Sequence, residues 1–189
     1  LEGYYYRPRI DKEILEKHRQ GLIGLSGCIQ GEIPRLILND MVDETKKKIE
    51  YFVNLFGKGN FYLELMDNNI PEQKKLIPML LELSKSLDVP VVATNDCHYL
   101  SREDAYAHDI LLCIGTGKKL TDKERLRFPT EEFYYKSPEE MYQLFSFYPQ
   151  ALSNSLEIAE KCNLRISFDQ FYLPEYALPE GGYLNLDEY

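Results

Sequence analysis

The sequence predicts an α/β fold with parallel strands, followed by a mostly helical segment. Three observations predict it. Short apolar runs at 21–27 (GLIGLSG), 61–66 (FYLELM) and 89–96 (VPVVATND) are separated by stretches of helical periodicity, the alternation expected of βα units with parallel pairing. The third run is continuously apolar and β-branched, as in a strand covered on both faces. Beyond residue 100 the strand-like runs give way to capped helical patterns.

The elements follow in order. After an aromatic opening, Asp11 is placed to cap a helix in KEILEKHRQ, which Gly21 can end because glycine tolerates the left-handed conformation of a helix C-terminus. GLIGLSG reads as a short buried strand. Residues 32–38 (EIPRLIL) and 42–56 carry apolar side chains at helical spacing, the second with Ile49, Phe52, Val53 and Phe56 on one face. FGKGN breaks the chain before FYLELM. The stretch 70–88 is helical in pattern, with Pro78 expected to bend or restart it. Residues 101–117 form a helix opened by Ser101 and closed by Gly115 to Gly117. Residues 137–162 supply two more, the first with a capping box from Ser137 to Glu140. The run from 168 to 183, rich in Pro, Tyr and Gly, suits an extended connector.

Composition bounds the function. The 189 residues, 44% hydrophobic, can bury a core. Against 31 Asp+Glu stand 22 Lys+Arg, a net charge of -9 that repels phosphate backbones unless a local patch overrides it. No run approaches the roughly 18 apolar residues of a membrane span, and LEGYYYRPRID lacks a secretion-signal core, so a cytoplasmic protein is expected. Cys28, Cys97, Cys113 and Cys162 form no CxxC pair and read as reduced thiols. A chain that begins without Met and stops at YLNLDEY reads as an excised segment.

In βα folds ligands gather at the C-terminal ends of the strands. There the third run ends in Thr94, Asn95, Asp96, Cys97 and His98. In an extended segment Asp96 and His98 point to one side, so a D-x-H pair can hold a cation with a carboxylate oxygen and an imidazole nitrogen. The competing reading is a capping Asp beside a surface His. Two ligands are too few for a catalytic metal. Cys28, at the end of the first run, is either a thiolate ligand on the same rim or a small buried hydrophobe. Cys97 alternates to the other side and reads as core. Glu64 and Asp67 are either second acceptors behind a ligand His or capping charges. His18 and His108 read as surface or packing residues. DKERLRFP is too mixed in sign for a convincing nucleic-acid patch.

Several blocks, in order, carry a resemblance: GYYYRPRIDKEIL, LSGCIQGEIPRLIL, FYLELMDN, PVVATNDCHYLSREDAYAHDILLCIGTGK, FYYKSPEEM and ALSNSLEIAEKCN, then YLPEYALPEG. Together they resemble the bacterial DNA polymerase III alpha subunit, the C-family replicative polymerase, over nearly the whole chain. The resemblance implies that residues 1–125 are the C-terminal part of its PHP domain, a distorted βα barrel of which this piece supplies the last strands. Residues 126–189 would be a helical and extended connector toward the polymerase palm.

The family's late metal ligands fall on Cys28, Asp96 and His98. The implied metals are zinc or manganese in the PHP site and magnesium for the polymerase site, which lies outside this chain. Implied partners are the exonuclease subunit, the sliding clamp and DNA, with weak DNA binding by this piece. The early His-x-His ligands and the acidic palm residues are missing, and Asn68 stands where many relatives have His. No catalytic residue is therefore assigned to this chain.

Three function classes follow: a fragment of a metal-dependent nuclease domain within a polymerase, a scaffold or exonuclease-docking module with a vestigial metal site, and a stand-alone metallophosphoesterase, the last disfavoured by the incomplete ligand set. An open half-barrel is also expected to self-associate through its free strand edge.

Overall fold

The computed structural model describes residues 4–169. It opens with a small antiparallel pair, β1 (Tyr4–Tyr5) and β2 (Arg7–Pro8). Helix α1 (Lys12–His18) follows, capped as expected by Asp11, whose carboxylate accepts the Ile14 amide at 2.8 Å. The chain then runs through β3 (Gly24–Leu25), α2 (Glu32–Leu38), α3 (Val42–Phe56), β4 (Phe61–Leu65), α4 (Pro71–Leu87) and β5 (Val91–Ala93).

These three strands form one parallel sheet in the order β3-β4-β5, with Gly24 opposite Phe61 and Leu63 opposite Val91. Every residue of the middle strand β4 is buried. Its apolar side chains meet Ile33 and Ile37 of α2, Ile49 of α3, and Leu76, Leu80 and Leu83 of α4 in one core. The βα alternation and the parallel pairing agree with the sequence pattern.

Two elements differ from expectation. The first strand pairs with β4 over only two residues and leaves Leu25 exposed, so it is not the buried strand that its apolar run predicts. Helix α4 runs through Pro78 as one helix, so the chain does not restart there; its buried apolar face offsets the missing amide donor.

After β5 a short 3-10 turn (Arg102–Asp104) leads into α5 (Ala105–Thr116). The Asp104 carboxylate accepts from the Ser101 amide at 3.0 Å and its hydroxyl at 2.8 Å, and Gly117, at φ 64°, ends the helix. Helix α6 (Pro138–Leu144) begins with the expected reciprocal cap: Ser137 Oγ accepts the Glu140 amide at 3.2 Å, and Glu140 accepts the Ser137 amide at 2.7 Å.

Helix α7 (Gln150–Lys161) lies against β5. Asn154 Nδ2 donates to the Val91 carbonyl at 2.7 Å, which supplies a partner on the outer side of that edge strand. Phe145 and Ala151, both fully buried, join the sheet core. The α6–α7 segment thus covers one of the edges that the sequence left open. Most of the connector expected at 168–183 lies outside the described residues. No helix among the described residues is long and apolar enough to cross a membrane.

Candidate metal centre

The C-terminal ends of β3, β4 and β5 are tied together by one buried carboxylate. Glu64, 9% exposed, sits on the middle strand. Its Oε2 accepts the Gly27 amide at 3.1 Å, and its Oε1 accepts the Thr94 hydroxyl at 2.5 Å. Its own amide donates to Ser26 Oγ at 2.8 Å. Burial pushes the Glu64 pKa up; the bonds from Thr94 and Gly27 oppose this, and the Asp96 charge adds to it. The carboxylate is flanked on one side by the turn that carries Cys28 and on the other by the loop that carries Asp96 and His98.

Cys28 is half-buried, and its carbonyl accepts the Gly31 amide at 2.7 Å. It lines a small hollow with Glu64, Met66 and Gln73. Asp96 and His98 do come together, with Asp96 Oδ1 3.3 Å from His98 Nε2. The route differs from the sequence argument, however. Asp96 has φ 50°, a left-handed conformation that interrupts extended alternation just beyond β5. The same break corrects the reading of Cys97 as core: its side chain is exposed. Among the described residues no three His, Cys, Asp or Glu side chains form a group that could hold a metal, so Cys28 is not gathered with the Asp96–His98 pair.

The His98 ring is held by aromatic neighbours. Phe128 meets it edge-on at 4.6 Å between centroids, Phe133 lies at 5.7 Å and His108 at 5.6 Å. The His98 amide donates to the Phe133 carbonyl at 2.8 Å. Burial, then the adjacent His98, lowers the His108 pKa. His108 is thus a packing residue, and what it packs on is a candidate ligand.

Asn68 is the residue that sequence reasoning missed. It is fully buried. Its Nδ2 donates to the carbonyls of Asn95 and Glu132, both at 2.9 Å, and its Oδ1 accepts Gln73 Nε2 at 2.9 Å. Its amide donates to Gln73 Oε1 at 2.7 Å, while its carbonyl accepts the Thr130 hydroxyl at 2.6 Å. The loop after β4 therefore holds both the 94–98 loop and the 128–133 segment behind it. Asp67 is a local cap, accepting the Asn69 amide at 2.9 Å. Farther out, Arg102 bridges Glu132 at 2.6 Å and the Tyr134 hydroxyl at 3.2 Å, and Tyr134 donates to Glu140 at 2.5 Å.

A three-stranded parallel sheet flanked by helices, with polar side chains at its strand ends, defines an α/β domain. Comparison with known proteins gives this class a name. Residues 1–68 match the family model described as the PHP domain. The DNA polymerase III subunit alpha of Treponema pallidum is 46% identical over 179 residues, which cover 95% of this chain and 15% of that protein. The same subunit of Borreliella burgdorferi is 51% identical over 180 residues, covering 95% of this chain and 16% of the relative. That of Thermus aquaticus is 42% identical over 187 residues, covering 96% and 15%. The chain belongs to the DNA polymerase III alpha subunit family, as a segment that contains PHP-domain sequence and spans about 15% of the length of these relatives.

Proposed function

We propose that the chain is the later part of a metal-dependent phosphodiesterase domain within a replicative, DNA-directed DNA polymerase. The observation that carries this reading is the 3.3 Å approach of Asp96 Oδ1 to His98 Nε2 at the end of the last parallel strand. An anionic oxygen and an imidazole nitrogen so placed fit one arm of a divalent-metal site; Cys28, two strands away at the end of β3, would be a further donor only on a rim completed by ligands outside this chain. Zinc or manganese there would lower the pKa of a bound water toward neutrality and neutralise charge developing on phosphate. The chain's own residues supply ligands and their support. Asp96 brings charge, Phe128 and Phe133 hold the His98 ring, and Glu64 fixes the spacing of the strand ends that carry Cys28 and Asp96.

Residues 1–125 would belong to this domain and 126–189 to the lead-in toward the palm. That division concerns function more than packing, since Phe145 shares the sheet core. In the parent the domain would trim 3′ ends in the cytoplasm, alongside magnesium-dependent synthesis elsewhere and within a replicase that includes the clamp and an exonuclease subunit. The segment by itself is inactive in this reading, because two clustered ligands do not complete a catalytic site. The absence of a three-donor group among the described residues also favours a second reading, a docking scaffold with a vestigial site.

Elemental analysis separates the two. Under the first reading the purified chain carries close to one equivalent of zinc or manganese, and a double substitution Asp96→Ala, His98→Ala loses it. No metal in either protein means that ligands outside this chain are required, and the chain then stands as scaffold until the full domain is measured.

A further inference from the structure

Behind the aromatic wall of the His98 site lies a second cavity, of about 230 Å³, between the first turns of α5 and residues 127–131. Its volume falls below the roughly 300–1,000 Å³ of drug-sized sites, leaving room for about one flat ring system. Phe128 forms one wall with the His108 imidazole, the two rings 4.9 Å apart, and Tyr106, 68% exposed, stands at the mouth. The Thr130 hydroxyl already donates to the Asn68 carbonyl, which fixes that side of the cavity.

The charge around this cavity is unlike that of the chain as a whole. Asp109 lines it, but its carboxylate is bound by Arg125, whose Nη2 donates at 2.7 Å. Arg127, also lining, is exposed and forms no salt bridge to a carboxylate of the described residues; Asp109, already bound by Arg125, and Glu131 on the rim are the opposing charges. From residue 118 to 127 five basic side chains stand against two acidic ones, in a chain that is net acidic. Aromatic faces beside an unbridged guanidinium and a locally basic strip are the combination by which proteins hold an unpaired base and its backbone.

We propose that this cavity binds one unpaired nucleobase with its phosphate, the base against the Phe128 and Tyr106 rings and the phosphate facing Arg127. The inference rests on the reading of the chain as part of a phosphodiester-cleaving domain and names the element of substrate it would hold. Phe128 links the two sites directly, because its ring also meets His98. A strand end held there lies one ring away from the candidate ligands.

The test is fluorescence anisotropy of a labelled single-stranded decanucleotide with the purified chain, in EDTA. Metal-dependent cleavage plays no part in that measurement, so its failure and the failure of the hydrolytic reading are told apart. Phe128→Leu, which keeps apolar bulk without a π face, should weaken binding about five- to tenfold. Arg127→Gln, at an exposed position that folding does not need, should weaken it and lower the slope of log K against log salt by about 0.7. The melting temperature of each variant verifies that it is folded.

Unlabelled deoxyadenosine monophosphate is the competing probe. Displacement of the strand would show that a free nucleotide suffices; variant-sensitive strand binding without displacement would assign the cavity to strand ends. The proposal is overturned if the decanucleotide does not bind. It is equally overturned if neither variant matters, or if Arg127→Gln acts while folded Phe128→Leu binds as the wild type, since the attraction is then to backbone outside the cavity.

Discussion

The loop after β4 and the loop after β5 lie side by side, yet they are built on opposite terms. In the first, Asn68 is buried and every side-chain polar atom it has is bonded. Each has one left-handed residue, Asn69 in the first and Asp96 in the second, but in the second the buried Asn95 Oδ1 and Tyr99 hydroxyl have no hydrogen bond of normal geometry, and His98 is 38% exposed at its side chain. A satisfied network gives a rigid, uniquely placed support, whereas unmet buried polar groups weaken the loop that carries them. The difference assigns stability to the first loop.

The largest effect should come from the support. Asn68→Ala removes three side-chain hydrogen bonds and leaves Gln73 Nε2 and the carbonyls of Asn95 and Glu132 without them. A loss of about 3 kcal/mol is expected. Asp96→Ala, which removes only a partly exposed carboxylate contact, should cost under about 1 kcal/mol. Denaturant titration of both variants checks the pair; comparable losses would break the contrast between the loops.

A smaller, pH-dependent effect should come from Glu64, which spans both regions. Its folded-state pKa is raised by burial, so the folded chain binds this proton more tightly than the unfolded one. Stability from this group is therefore greatest below the ordinary glutamate range and falls as pH rises toward the raised value. Glu64→Gln removes that proton and keeps one acceptor. The variant's melting temperature relative to wild type should increase between about pH 4 and pH 7, in metal-free buffer. A flat difference would mean that Glu64 is solvated in the folded chain.

These residues also mark where sequence reasoning reaches its limit. The caps at Asp11, Ser101 and Ser137 were legible because their partners lie three residues away. The βα alternation was legible because the β4 and β5 runs are buried on both faces. The length of β3 was not, since apolar composition does not report over how many residues the run pairs with its neighbour. The D-x-H pairing was legible as a pattern, but the side chosen for Cys97 was wrong, because alternation ends at Asp96. Asn68 carried no local signal: its partners Asn95 and Glu132 are 27 and 64 residues away, and a polar residue in a loop reads as solvated.

The smallest expected effect probes the loop after β5 itself. Tyr99 packs against His108 with ring centroids 5.3 Å apart, and its buried hydroxyl makes no hydrogen bond of normal geometry; burial raises its pKa, and the nearby Phe133 backbone only partly opposes this. A phenolic oxygen shut away from water keeps its desolvation cost and gains no bond in return. Tyr99→Phe keeps the ring and deletes that group, so the folded chain should gain up to about 1 kcal/mol, read as a higher denaturation midpoint at unchanged m-value. The sign is the informative part. Mutation of a bonded tyrosine lowers stability, so a loss on Tyr99→Phe would mean that the hydroxyl has a partner, such as an internal water. The loop would then be as well satisfied as its neighbour. A gain would mean that folding tolerates an unmet polar group two side chains from Cys97 and one from His98, at the place where the chain carries its candidate ligands.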